Sequence, residues 1–159
     1  MKKYEKKPMD YNKTKEKALR LLEFRTHSKK ELEVKLAHAG ANSEDITRVI
    51  EFLQEYNFIN DKDYAKRYAM DLQNLKKFGK RRIYLELNKK GIDAEFIEEA
   101  ISNLSQTDED ELLKMVDKKI KGDFDKKNKD RVIRYFLTRG YSFDEIKRCI
   151  NQLDRGFEE

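Results

Sequence analysis

The chain has one cysteine, one proline, two histidines and no tryptophan in 159 residues. Cys149 alone cannot form an internal disulfide, which agrees with a reducing compartment. Pro8 is the sole proline, so nothing beyond it breaks a helix from within. No apolar run approaches the ~18 residues of a membrane span, and "MKKYEKKPMDYNKTKEK" carries no hydrophobic region after its basic start. Neither a membrane helix nor a secretory signal is expected, and the chain should be cytoplasmic. There is no GxxxxGK[ST] and no GxGxxG, so nothing points to a nucleotide site.

What is present is charge and helix-forming sequence. Lys plus Arg number 36 against 31 Asp plus Glu, a net of +5, and 42% of all residues are charged. The apolar share of 38%, with 9 Phe and 8 Tyr, is low for one deep core but adequate for thin stacked layers, and too aromatic for a disordered chain.

Three stretches echo one another: "SKKELEVKLAHAG", "GKRRIYLELNKKG" and "NKDRVIRYFLTRG". Aligned on Gly40, Gly91 and Gly140, they place Ser28, Gly79 and Asn128 in one column, all residues suited to a helix N-cap. Ser28 with Glu31 has the spacing of a capping box. Leu32, Ile83 and Val132 share a column, and Leu36, Leu87 and Phe136 another four residues on, so these positions form one buried face. The glycines suit the left-handed residue that ends a helix.

Asn42, Asp93 and Ser142 then open a second helix each time, Ser142 with Glu145 in box spacing. Its core positions are Ile46, Ile97 and Ile146, then Ile50, Ile101 and Ile150, then Leu53, Leu104 and Leu153. A further periodic segment precedes each block, so each unit is three helices. The columns recur 51 and then 49 residues apart. The expected fold is all-α, tandem three-helix repeats forming a short curved solenoid: a basic flexible segment 1–17, then repeats at 18–59, 60–105 and 106–155.

Candidates for catalysis are few. His27 and His38 lie eleven apart, which is no metal pair on one helix face, and ordinary surface or capping histidines are expected. Cys149 shares the column of Val49 and Ala100, a small core position. The acidic run Asp108 to Glu111 stands where a helix should start, and carboxylates are favoured there by the dipole. No catalytic residue, cofactor or metal is expected.

Charge is segregated. Between Lys76 and Lys90 stand Lys76, Lys77, Lys80, Arg81, Arg82, Lys89 and Lys90, seven cations against Glu86, a local net of +6. From Ile92 to Leu113 there is no Lys or Arg but eight acids. Lys29, Lys80 and Lys129 share one column, so part of the positive character recurs with the fold; Arg131, Arg134 and Arg139 extend it in the third repeat. These twelve residues are the candidate binding surface for an acidic partner, whether phosphates or an acidic protein groove. A sequence-reading helix-turn-helix is disfavoured, because "SEDIT", "AEFIEE" and "FDEIK" would set carboxylates against the phosphate rails.

"ALRLLEFRTHSKKELEVKLAHAG", "FINDKDYAKRYAMDL", "KKFGKRRIYLELNKKGI" and "YFLTRGYSFDEIKRCI", in this order and spacing, resemble the RecX family of bacterial proteins that regulate the RecA recombinase. The resemblance runs from Ala18 to about Leu153. It implies a non-enzymatic modulator that binds the RecA filament on DNA and limits its extension, ATPase, strand-exchange and coprotease activities, and a monomer is expected. Weak contact with single- or double-stranded DNA stays open. The alternative is a general DNA-binding or architectural protein using the same basic stripe.

Overall fold

A computed structural model of the chain describes residues 9–105 and 109–156. Among the described residues there are nine helices and no strand: α1 Tyr11–Phe24, α2 Lys29–His38, α3 Ser43–Glu55, α4 Asp61–Asn74, α5 Lys80–Lys89, α6 Ala94–Ser102, α7 Glu109–Ile120, α8 Lys126–Thr138 and α9 Phe143–Gly156. They follow one another as tandem three-helix repeats. No helix of the described residues is long and apolar enough to cross a membrane.

The helix ends are set by local chemistry. The Lys13, Glu31 and Asp45 backbone N–H groups donate to Asp10 (2.8 Å), Ser28 (3.2 Å) and Asn42 (2.8 Å), each satisfying a donor that a helix start leaves unpaired. At α9 the capping box is complete: the Glu145 N–H donates to Ser142 Oγ (3.2 Å) and the Ser142 N–H to the Glu145 carboxylate (2.8 Å). Gly40, Gly91 and Gly140 end α2, α5 and α8 with φ of 101°, 72° and 98°, the left-handed conformation expected of them.

Two boundaries differ from expectation. Helix α1 begins at Tyr11, with Thr14 wholly buried, so residues 11–17 belong to the first helix and not to a tail. Residues 1–8 lie outside the described residues. Helix α8 begins at Lys126, ahead of the aligned column, so Asn128 is a helical residue and not a cap. Its amide instead donates back to the Ile120 (3.0 Å) and Asp123 (2.7 Å) carbonyls, tying α8 to the end of α7.

The chain divides into two units, Met1–Ala65 with Asn88–Ile97, and Lys66–Leu87 with Glu98–Glu159. In the first, α1, α2 and α3 pack on one another around Ala18, Leu32, Leu36, Val49, Ile50 and Leu53. In the second, α7, α8 and α9 do the same around Val116, Ile120, Val132, Phe136, Ile146 and Ile150. Ile83, Leu87 and Ile97 of the middle repeat are also wholly buried, so three aligned columns are core positions in all three repeats, while Ile101 and Leu153 of the two others are only half-buried. Burying each such side chain contributes about 1.5–3 kcal/mol, which lets thin layers hold together.

Candidate functional site

Each unit contains one joint built from the same repeat positions. In the first unit, Ser28 Oγ donates to the Lys90 carbonyl (2.7 Å), so the start of α2 meets the end of α5. In the second, the Gly79 N–H donates to the Arg139 carbonyl (2.8 Å), and the start of α5 meets the end of α8. Tyr141, buried, adds its hydroxyl to the Lys77 carbonyl (2.7 Å); burial and nearby Glu111 and Glu145 push that phenol up to about 12, so it stays a donor. A Cβ on Gly79 would come within 3.0 Å of the Gly140 carbonyl and the Tyr141 nitrogen, so only glycine lets these backbones meet.

The basic candidates differ in how far the fold already engages them. Five are committed within the fold. Lys90 pairs with Glu31 (3.2 Å), Lys77 with Glu111, and Lys129 with Asp154 (3.2 Å). Arg82 gives Nε to Glu86 (2.9 Å) and Nη1 to the Thr138 carbonyl (3.2 Å). Arg131 donates to Asn128 Oδ1 and to the Lys119 carbonyl (3.3 Å), closing the α7 end. Arg139 lies 4.8 Å from the Tyr135 ring centre, and Lys29 reaches only to 4.0 Å from Glu33. Lys89 is exposed.

Lys76, Lys80, Arg81 and Arg134 are exposed. Their side chains make no ion pair or hydrogen bond within the described residues. Lys80 and Arg81 open α5, where cations oppose the helix dipole, and they line a cavity of about 560 Å³ together with Glu109, Asp144 and Glu145 without pairing with any of them.

Two lysines outside the expected set stand beside some of these candidates. Lys118 and Lys119 line a cavity of about 300 Å³ with Lys76, Lys77, Met115, Tyr135, Phe136 and Arg139, and Lys119 stands 4.0 Å from the Tyr135 ring centre. The basic last turn of α7 was a signal for these two lysines.

Elsewhere the chemistry is structural. His27 is buried and not a surface residue: its Nδ1–H donates to the Arg25 carbonyl (2.8 Å) and its Nε2 accepts from Lys35 (2.8 Å). Burial, with Arg25 and Lys35 nearby, holds it below the usual histidine range. Cys149 is buried and its thiol pushed up by that burial, the opposite of an activated nucleophile. Glu109, Asp110 and Glu111 stand in the first turn of α7, and Asp108 lies outside the described residues. No group of potential metal ligands occurs among the described residues.

The molecule is thus an all-helical tandem array of three-helix domains. The model for the first three-helix domain of RecX matches residues 15–53, and that for the second matches residues 60–101. Regulatory protein RecX of Clostridium perfringens (strain 13 / Type A) is 36% identical over 152 residues, covering 92% of this chain and 69% of its own length. Regulatory protein RecX of Vibrio parahaemolyticus serotype O3:K6 is 37% identical over 151 residues, covering 93% of this chain and 96% of its own length. The crystal structure of RecX from Lactobacillus salivarius superposes with a TM-score of 0.80 at 28% identity, covering 91% of this chain and 97% of that one. The chain belongs to the RecX family.

Proposed function

We propose that the chain is a cytoplasmic, monomeric regulator of the RecA recombinase that binds the RecA filament on DNA and limits its extension, ATPase, strand-exchange and coprotease activities. It acts by binding and not by catalysis. Membership of a family of regulatory proteins supports this reading. The observation that carries it is the pair Lys80 and Arg81, exposed and uncommitted at the start of α5. Cations placed against a helix dipole are explained by an external anion, and Arg can give it paired hydrogen bonds. Lys76 and Arg134 are exposed and uncommitted in the same unit.

Salt dependence separates this from a general DNA-binding role. Binding to DNA alone should fall by about one log unit per phosphate contacted for each tenfold rise in salt. Inhibition of RecA ATPase should persist at a salt concentration where binding to naked DNA has vanished. Parallel loss of both would favour the DNA-binding reading.

A further inference from the structure

The joint is written twice with opposite charge at its centre. In the first unit the Glu31 carboxylate pairs with Arg25 (2.8 Å) and Lys90 (3.2 Å) and accepts the Tyr64 hydroxyl (3.0 Å). One repeat later, the aligned column of Arg25 holds Lys76, that of Lys90 holds Arg139, and that of Glu31 holds Arg82. The outer cations are kept, while the anion that neutralised them has become a third cation.

Lys76, Arg82 and Arg139 line one cavity of about 670 Å³ in the second unit, with Leu75, Phe78, Tyr135 and Thr138, and among the described residues no carboxylate lines it. Glu86, one turn along α5, holds Arg82 through Nε, and the guanidinium lies 4.9 Å from the Phe78 ring centre. Leu75 is 78% exposed, a large apolar side chain beside three cations.

We infer that this cavity receives a carboxylate side chain from an acidic segment of a partner protein, which takes the place that Glu31 fills in the first unit, while an apolar neighbour packs on Leu75. The charges are complementary, and Arg82 and Arg139 can bind a carboxylate with charge-assisted hydrogen bonds. A polypeptide suits the site better than a nucleic acid. Leu75 offers an aliphatic contact where a base would want a ring, and Lys119 and Arg139 already occupy positions 4.0 and 4.8 Å from the Tyr135 ring centre. That the partner is RecA rests on the function proposed above; the carboxylate site itself does not.

The test uses the full chain and a labelled, blocked peptide of alternating Glu and Leu, followed by fluorescence anisotropy, with the Gln counterpart and oligothymidylate as the other probes. The Glu peptide should bind and the Gln peptide should not. Arg82→Glu should weaken binding by at least about tenfold, the lower end for a lost charge-assisted contact. Because Arg82 also braces the α8 end, Lys76→Gln is the second variant: its side chain is exposed, and it should weaken binding by at least about threefold with an unchanged melting curve. Lys114→Gln, exposed and not among the residues that line the cavity, should bind as the parent does. Failure of the parent to bind, equal binding by Arg82→Glu and Lys76→Gln, or oligothymidylate competing at the peptide's own concentration would each overturn the proposal. Lys76→Gln that loses the peptide but inhibits RecA as before overturns the cavity's part in that contact and leaves the regulator reading standing. A parent that binds the peptide through Lys76 yet never inhibits RecA upholds the site and sinks the regulator reading instead.

Discussion

Replacing Gly79 with alanine should loosen the second unit far more than its one added methyl suggests. The new Cβ would sit within 3.0 Å of the Gly140 carbonyl carbon, its oxygen and the Tyr141 nitrogen, all backbone atoms of the turn between α8 and α9. Backbone cannot rotate aside as a side chain can, so the turn must move and the Gly79 N–H to Arg139 carbonyl bond (2.8 Å) lengthens or breaks. Overpacking of this kind costs about 1–3 kcal/mol and a lost hydrogen bond about 1 more. With ~2 kcal/mol per molar urea, the unfolding midpoint should fall by roughly 1 M or more. Gly40→Ala is the companion variant. Its Cβ meets nothing within 4 Å, but φ is 101°, so only the left-handed backbone penalty of about 1–2 kcal/mol applies. Hydrogen exchange should show the difference: Gly79→Ala exposes the Gly79 amide, and Gly40→Ala leaves it protected. A Gly79→Ala midpoint within experimental error of the parent would refute the joint.

Leu87 is wholly buried and Lys89 exposed on the same helix, so Leu87→Ala should cost about 2–5 kcal/mol and Lys89→Ala well under 1; equal denaturant midpoints would contradict the register of α5. The Glu31 carboxyl is raised by burial but lowered more by bonds from Arg25, Lys90 and Tyr64, leaving it below its ordinary 4.5. A depressed folded-state value means stability that is full above pH ~4.5 and lost as pH falls through the folded value. Thermal melts from pH 6 downward should show this loss, and Glu31→Gln, less stable at pH 6, should show less of it; identical pH profiles would refute the assignment.

The order of helices was legible because it rests on short-range rules. Ser28, Asn42 and Ser142 cap, Gly40, Gly91 and Gly140 terminate, and the apolar columns are buried apart from the half-buried Ile101 and Leu153, all within one turn or one helix of the signal. Asn128 broke the pattern because its amide found carbonyls on the preceding loop and helix end, an option that spacing does not reveal. Likewise the Glu31 carboxylate is drawn to Arg25, Lys90 and Tyr64, partners as far as 59 residues away in sequence. The basic residues could be enumerated in advance but not sorted. Arg82 is held by Glu86 at i,i+4 on its own helix, a spacing the sequence shows, but its second bond depends on Thr138 and the Lys77 ion pair on Glu111, each brought near by the repeat that follows.

In the proposed function, the uncommitted cations at the start of α5 meet an anionic partner. Lys80→Glu with Arg81→Glu should keep the parent's helical content and melting temperature, because neither side chain is bonded within the described residues. Inhibition of RecA ATPase by this variant should weaken by at least about tenfold, about 1.4 kcal/mol, while Glu98→Lys in the acid-rich segment inhibits as the parent does. A folded Lys80→Glu, Arg81→Glu variant that inhibits RecA as well as the parent would contradict the account.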